Sequence, residues 1–168
     1  MDEATSVGSL LKAIRRYGAA RREFLAAIGS PESNRDPLAE FAERIAFAAL
    51  GGTMAASRVQ KGWDFTDHAG GRVQVRYLSN PAGPWINGHV IDFRGGGCDR
   101  YALVIFEGLE PQALLVFGAE YLEKVCSALR KRHPDSAHTL QLTQANYEAL
   151  RADPAYIEAC GVGVIPFG

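Results

Sequence analysis

Two unbroken apolar runs, Tyr101 to Phe106 (Y-A-L-V-I-F) and Gln112 to Phe117 (Q-A-L-L-V-F), constrain this chain more than anything else in it. A strand with one wet face alternates apolar and polar residues, whereas a continuous run marks a central strand buried on both faces. The segments around these runs read as the layers that cover such strands. Leu10, Leu11, Ile14, Tyr17, Leu25 and Ile28 recur at helical spacing and predict a helix from about Ser6 to Ile28. Lys12, Arg15, Arg16 and Arg22 fall on its remaining surface, either as a solvated face or as an arm that touches nucleic-acid backbone or a partner subunit.

Residues 29–35 (G-S-P-E-S-N-R) read as a hinge, and Asp36-Pro37 starts a second helix that Gly51-Gly52 ends. Leu38, Phe41, Ala42, Ile45 and Ala49 form its buried stripe, with Glu40 and Glu43 on a flank. Further strands are expected over 53–59, 89–93 and 138–142, and helices over 121–132 and 143–151, the last broken by Asp153-Pro154. Helix, several strands, helix and strand in that order make an α/β sandwich around a mixed sheet.

Composition narrows the class. The chain has 168 residues, 47% of them apolar and 22% charged, which suits one globular domain with a real core. A net charge of -1 gives no global attraction to nucleic acid, so such binding needs a local basic patch. Cys98, Cys126 and Cys160 form no C-x-x-C pair, which argues against a disulfide framework or a zinc ribbon and for a reducing, cytoplasmic setting. No apolar run approaches the roughly 20 residues of a membrane span, and the acidic start is unlike a signal peptide.

Residues 63–78 (W-D-F-T-D-H-A-G-G-R-V-Q-V-R-Y-L) read as a hairpin about Gly70-Gly71. Period-two alternation puts Trp63 and Phe65 on one side and Asp64 and Thr66 on the other. On the second strand Val73, Val75 and Tyr77 share one face, while Arg72, Gln74, Arg76 and Leu78 share the opposite one. A carboxylate, an amide and a guanidinium would then meet on one surface, a candidate phosphate or metal site.

The series Glu43, Asp64, Gln74-Val75-Arg76 resembles the core of the PD-(D/E)xK, restriction-endonuclease-like nucleases. That family places an acid-bearing helix before a sheet, an Asp after a β-turn, and an acid-x-Lys tripeptide on the next strand. The neighbouring K-G-W-D-F and G-R-V-Q-V-R resemble the K-G-x-D and G-x-x-Q-V-K stretches of Mrr-like members, in which Gln replaces the acid. The resemblance covers about residues 38–132. It implies a restriction-endonuclease-like α/β domain over 36–168, with 1–30 as an N-terminal helical segment, and a metal-dependent DNA endonuclease activity.

By this resemblance Asp64, Gln74, the Val75 carbonyl and Glu43 would hold Mg²⁺ or Mn²⁺, and Arg76 stands where the family's catalytic Lys sits. A divalent ion neutralises phosphate charge and lowers the pKa of an attacking water. Gln74 removes one negative charge from that shell. Arg76 can clamp a phosphate bidentately but cannot act as a base, because its pKa lies above about 12. The chain is therefore expected to be either an active endonuclease or a catalytically inactive module that binds nucleic acid or a partner protein. Arg58, Lys61, Arg72, Arg94 and Arg100 flank the expected sheet face and are candidates for tracking DNA phosphates. A homodimer is an expectation from the family, since duplex cutting often needs two active sites. Trp85 is either a core residue or a base-stacking one, and His68, His89, His133 and His138 show no metal-ligand spacing and read as surface histidines.

Overall fold

The computed structural model describes residues 6–56, 62–80, 85, 88–129 and 138–167. Its centre is a six-stranded mixed sheet with helices on both faces. In chain order the elements are α1 (Val7–Ala27), α2 (Pro37–Leu50), β1 (Thr53–Met54), β2 (Phe65–Thr66), β3 (Arg72–Asn80), β4 (His89–Asp92), β5 (Arg100–Glu107), β6 (Glu110–Gly118), α3 (Leu122–Ala128), β7 (Thr139–Leu142), α4 (Gln144–Ala152), α5 (Pro154–Cys160) and β8 (Val162–Pro166). The sheet runs β1-β2-β3-β5-β6-β8, and β4 and β7 pair separately as a two-stranded sheet. β3 and β5 are parallel neighbours, while every other pair in the main sheet is antiparallel.

The two apolar runs are the middle of this sheet, with Leu103 opposite Leu115 and Val104 opposite Leu114. Their side chains divide between two cores. Ala102, Val104, Phe106 and Leu114 pack with Phe65, Val73 and Val75 under α2. Tyr101, Leu103, Ile105, Leu115 and Phe117 pack on the other face beneath β4, β7 and the C-terminal helices. Tyr101 to Phe106 is buried on both faces, and the second run is buried on both over Ala113 to Leu115, with Gln112 and Val116 partly covered, which is why neither strand alternates.

Local signals set the helix ends. Asp36 caps α2, its Oδ1 accepting from the Leu38 amide at 2.7 Å, and Pro37 occupies the first turn. Gly51 and Gly52 carry the chain out of α2 at φ of 66° and 110°. A Cβ on Gly52 would lie 2.0 Å from the Thr66 carbonyl oxygen, so only glycine lets the turn pass this close to β2. Thr143 and Asn146 form a reciprocal cap at the start of α4.

Several expectations change. β1 is regular only at Thr53–Met54, and residues 57–59 of the expected strand lie outside the described ones. β4 leaves the main sheet to pair with β7. Asp153-Pro154 ends α4 as expected and then immediately opens α5, because Pro suits a first helical turn. β8, not read from the sequence, closes the sheet against β6.

Trp63 and Phe65 do not share a face. Phe65 lies in the α2 core, whereas Trp63 packs against the opposite one. The cause is a bulge: Phe65 is the register partner of Val73, yet the Asp64 amide also donates to the Val73 carbonyl at 2.8 Å. Two residues of one strand then oppose a single residue of the next, which breaks the alternation.

Candidate functional site

The bulge aims Asp64. Its Oδ2 accepts from the Val75 amide at 2.7 Å, so the carboxylate takes the ladder position that β2 leaves open beside β3. On β3, Gln74 and Arg76 lie on the face away from α2, and Gln74 is the register partner of Tyr101 on β5. The Cys98 thiol lies 3.9 Å from Gln74 Oε1 and feels the charges of Asp99 and Arg72 and, more weakly, of Arg76 and Asp64. Burial is the main reason that thiol is pushed above its ordinary pKa, which makes it a poor nucleophile. Arg76 is exposed, and its Nη1 donates to the Val75 carbonyl at 2.7 Å.

Glu43 reaches the same region from α2 but is already engaged. The Arg35 guanidinium forks onto it, Nη1 donating to Oε2 at 2.9 Å and Nη2 to Oε1. Burial pushes the Glu43 carboxyl upward, the Arg35 hydrogen bond pulls it back, and the nearby Asp64 charge adds to the upward push. The structure therefore ties Asp64 to the Val75 amide, between Gln74 and Arg76 on β3, while Glu43 feels the Asp64 charge and is held by Arg35.

The donor set fits a hard divalent ion in part. Among the described residues no group of three His, Cys, Asp or Glu side chains is placed to hold a metal. The Val75 carbonyl is taken by Arg76 and both Glu43 oxygens by Arg35. Among the described residues, Asp64 Oδ1 and Gln74 Oε1, the latter touched only by the Cys98 thiol, remain as oxygen ligands. That suits an ion such as Mg²⁺, which is commonly held by one or two carboxylates, several waters and a substrate phosphate.

The three basic candidates among the described residues are each tied to a carboxylate. Arg72 on β3 forks onto Asp99, with Nη2 and Nε bonds of 3.0 and 3.1 Å, and this holds the Asp99 carboxyl down at about 2. Arg100 at the start of β5 lies 3.0 Å from Asp67, whose Oδ1 accepts from the Ala69 and Gly71 amides and shapes the hairpin turn. Arg94 forks onto Asp92, the shortest bond being 2.6 Å. Arg58 and Lys61 lie outside the described residues. Arg72 and Arg100 sit together at one end of the β3–β5 pair, within a few residues of Gln74, while Arg94 lies in the turn after β4.

Arg35 carried no signal in the sequence, Trp85 takes the core position of its two readings, and the reading of His89 as a surface histidine is corrected. Arg35 sits in the hinge, across a helix cap from Glu43. His89 is partly buried, with Nε2 2.8 Å from the Tyr101 hydroxyl, because β4 carries it over β5. Burial, then the Arg76 charge, lowers the His89 pKa to about 4, and burial raises Tyr101 to about 12. Only the β4–β7 pairing, made with a strand some fifty residues further on, could have revealed the His89–Tyr101 contact. Trp85 stacks on Tyr147 at 5.6 Å and packs on the larger core. Compared with known proteins, the chain matches no family model and no curated protein sequence.

Proposed function

We propose that this chain is a restriction-endonuclease-like domain that engages the phosphodiester backbone of DNA and hydrolyses it with Mg²⁺ or Mn²⁺. The observation that carries this reading is the 2.7 Å bond from the Val75 amide to Asp64, which sets an acid beside Gln74-Val75-Arg76 where the sheet opens. The order of elements supports it, since α2, which carries Glu43, precedes the β2–β3 hairpin, with Asp64 at its entry and Gln74 on β3.

In this reading Asp64 and Gln74 hold the divalent ion, which supplies phosphate neutralisation and a more acidic bound water. Arg76 faces solvent from β3 and presents the rest of its guanidinium to a phosphate oxygen, offsetting the charge that builds up during displacement. Arg76 stays protonated throughout, so it orients and neutralises and takes no proton. His89 is neutral at physiological pH and lies close enough to Arg76 to feel its charge, so it adds no second cation to the site.

The test is nicking of supercoiled plasmid in Mg²⁺ or Mn²⁺ by the wild-type chain and by Asp64→Ala. Chelator-sensitive nicking lost in the variant is the expected result. Equal nicking by both proteins defeats the proposal. One observation favours a second reading, a binding module without turnover: Arg35 holds the carboxylate that would strengthen the ion site. That version retains labelled DNA with a steep salt dependence, is indifferent to chelator, and yields no product.

A further inference from the structure

We infer that Arg35 is a built-in counter-cation that closes the acidic end of this site, so that a divalent ion gains Glu43 only when the guanidinium lets go. The inference rests on the cation site proposed above. One guanidinium there faces three carboxylates: it forks onto Glu43, lies 3.7 Å from Glu40 Oε1, and feels the charge of Asp64. Glu40 and Glu43 are 0% and 5% exposed, and Asp64 comes from a different element. Carboxylates gathered this way repel one another and resist burial unless a cation stands among them. Among the described residues Arg35 is such a cation.

The side chain doing this does not belong to the sheet. It hangs from the segment between α1 and α2, and its position is set from α1. Arg21 Nη2 donates to the carbonyls of Ser33 at 3.0 Å and Arg35 at 2.7 Å, and Ser33 Oγ donates to Glu40 Oε1 at 2.7 Å. Arg44 anchors the start of the same segment, donating to the Gly29 carbonyl and to Ser30 Oγ. The Arg35 side chain is 42% exposed, so it can swing into water without unpacking the core, whereas the Glu43 side chain is 7% exposed and held on α2. A cation pinned through a surface strap and reaching a buried acid is placed to be exchanged. A fixed structural ion pair would have both partners rooted in packed elements.

Mn²⁺ titration by calorimetry on the full chain tests this in wild type, Arg35→Gln, and the double variant Arg35→Gln/Glu43→Gln. Releasing Glu43 removes a bidentate charged hydrogen bond that the metal otherwise has to displace, so Arg35→Gln is expected to bind Mn²⁺ about tenfold more tightly or better. The double variant is expected to fall back to the wild-type value. Equal or weaker binding by Arg35→Gln overturns the inference, as does a gain that survives in the double variant. Should Arg35→Gln fail to fold in chelator, Arg35→Lys keeps a cation but loses the fork, and an affinity no higher than wild type then overturns it. Asp64→Asn separates the two readings. Wild-type Mn²⁺ binding unchanged by that substitution removes the proposed site itself, whereas binding lost in Asp64→Asn but unmoved by Arg35→Gln removes only the counter-cation.

Discussion

His89 is a partly buried ring on β4, tucked against β5. Its neutral form is held against the Tyr101 hydroxyl, and its pKa falls to about 4. The folded chain therefore binds fewer protons than the unfolded one between pH 4 and about 6.5, where a free histidine titrates. Stability contributed by the neutral ring is fully present above about pH 6.5 and is lost as the pH falls to 4, up to about 3 kcal/mol. Urea unfolding across that range should show the slope, and His89→Gln should flatten it. Arg76→Gln should raise the His89 pKa followed by NMR, because the Arg76 charge is the second cause of its depression. Asp99 acts in a lower window. Its carboxyl, held at about 2 by Arg72, contributes above about pH 4 and loses that contribution as the pH drops toward 2. At 51% exposure the pair is screened by solvent and its effect is small. At this scale only the closeness of Asp64 to Gln74-Val75-Arg76 was legible, because the two arms of one hairpin are neighbours in chain and in space. Arg35 and His89 were not, since each reaches the site through a contact that no spacing encodes.

At the scale of elements, two glycines of the same hairpin region separate steric crowding from backbone preference. Gly52 has φ of 110° and no room for a Cβ, which would meet the Thr66 carbonyl oxygen and the Asp67 Cα at 2.0 and 2.7 Å. Gly70 has φ of 83° with nothing within 4 Å. Gly52→Ala is expected to destabilise by about 3 kcal/mol or more, strain and a backbone clash together. Gly70→Ala should cost about 1 kcal/mol, from backbone preference alone. Urea unfolding of the two variants decides it, and comparable losses would mean the turn after α2 has room to move. Because β1 and β2 position Asp64, Gly52→Ala should also weaken any Mn²⁺ binding, while Gly70→Ala should spare it. The hairpin was legible from its alternation and its paired glycines. The bulge was not: alternation assigns Trp63 to the side of Phe65, and only the second bond to Val73 shows that one residue is out of step. That single irregularity is what turns Asp64 toward the Val75 amide.

At the scale of the whole molecule, the two apolar runs predicted a sheet covered on both faces, and two cores on opposite sides of β5 and β6 bear this out. The mixed strand order and the separate β4–β7 pair depend on contacts between distant segments, which periodicity does not carry. α1 shows where a local pattern and the global fold part. Leu10, Leu11, Ile14 and Tyr17 have the spacing of a buried stripe, yet they are 50–59% exposed, and Leu25 is the helix's one buried side chain. The last turns pack on α2, with Phe24 against Phe41 at 6.1 Å, and the first three turns extend the same stripe past the body of the domain. Burial and not hydropathy sets the cost of losing an apolar group, so the two ends of the helix should respond unequally to the same kind of change. Leu10→Ser and Ile14→Ser should each shift the unfolding free energy by no more than about 0.5 kcal/mol. Leu25→Ala, which opens a cavity at a fully buried position, should cost about 2–5 kcal/mol. The measurement is urea unfolding of the three single variants at one protein concentration. A loss of more than about 1 kcal/mol at Leu10 or Ile14 would show that the leading half of α1 is covered in solution, and repeating it at several concentrations would tell whether a second copy of the chain does the covering.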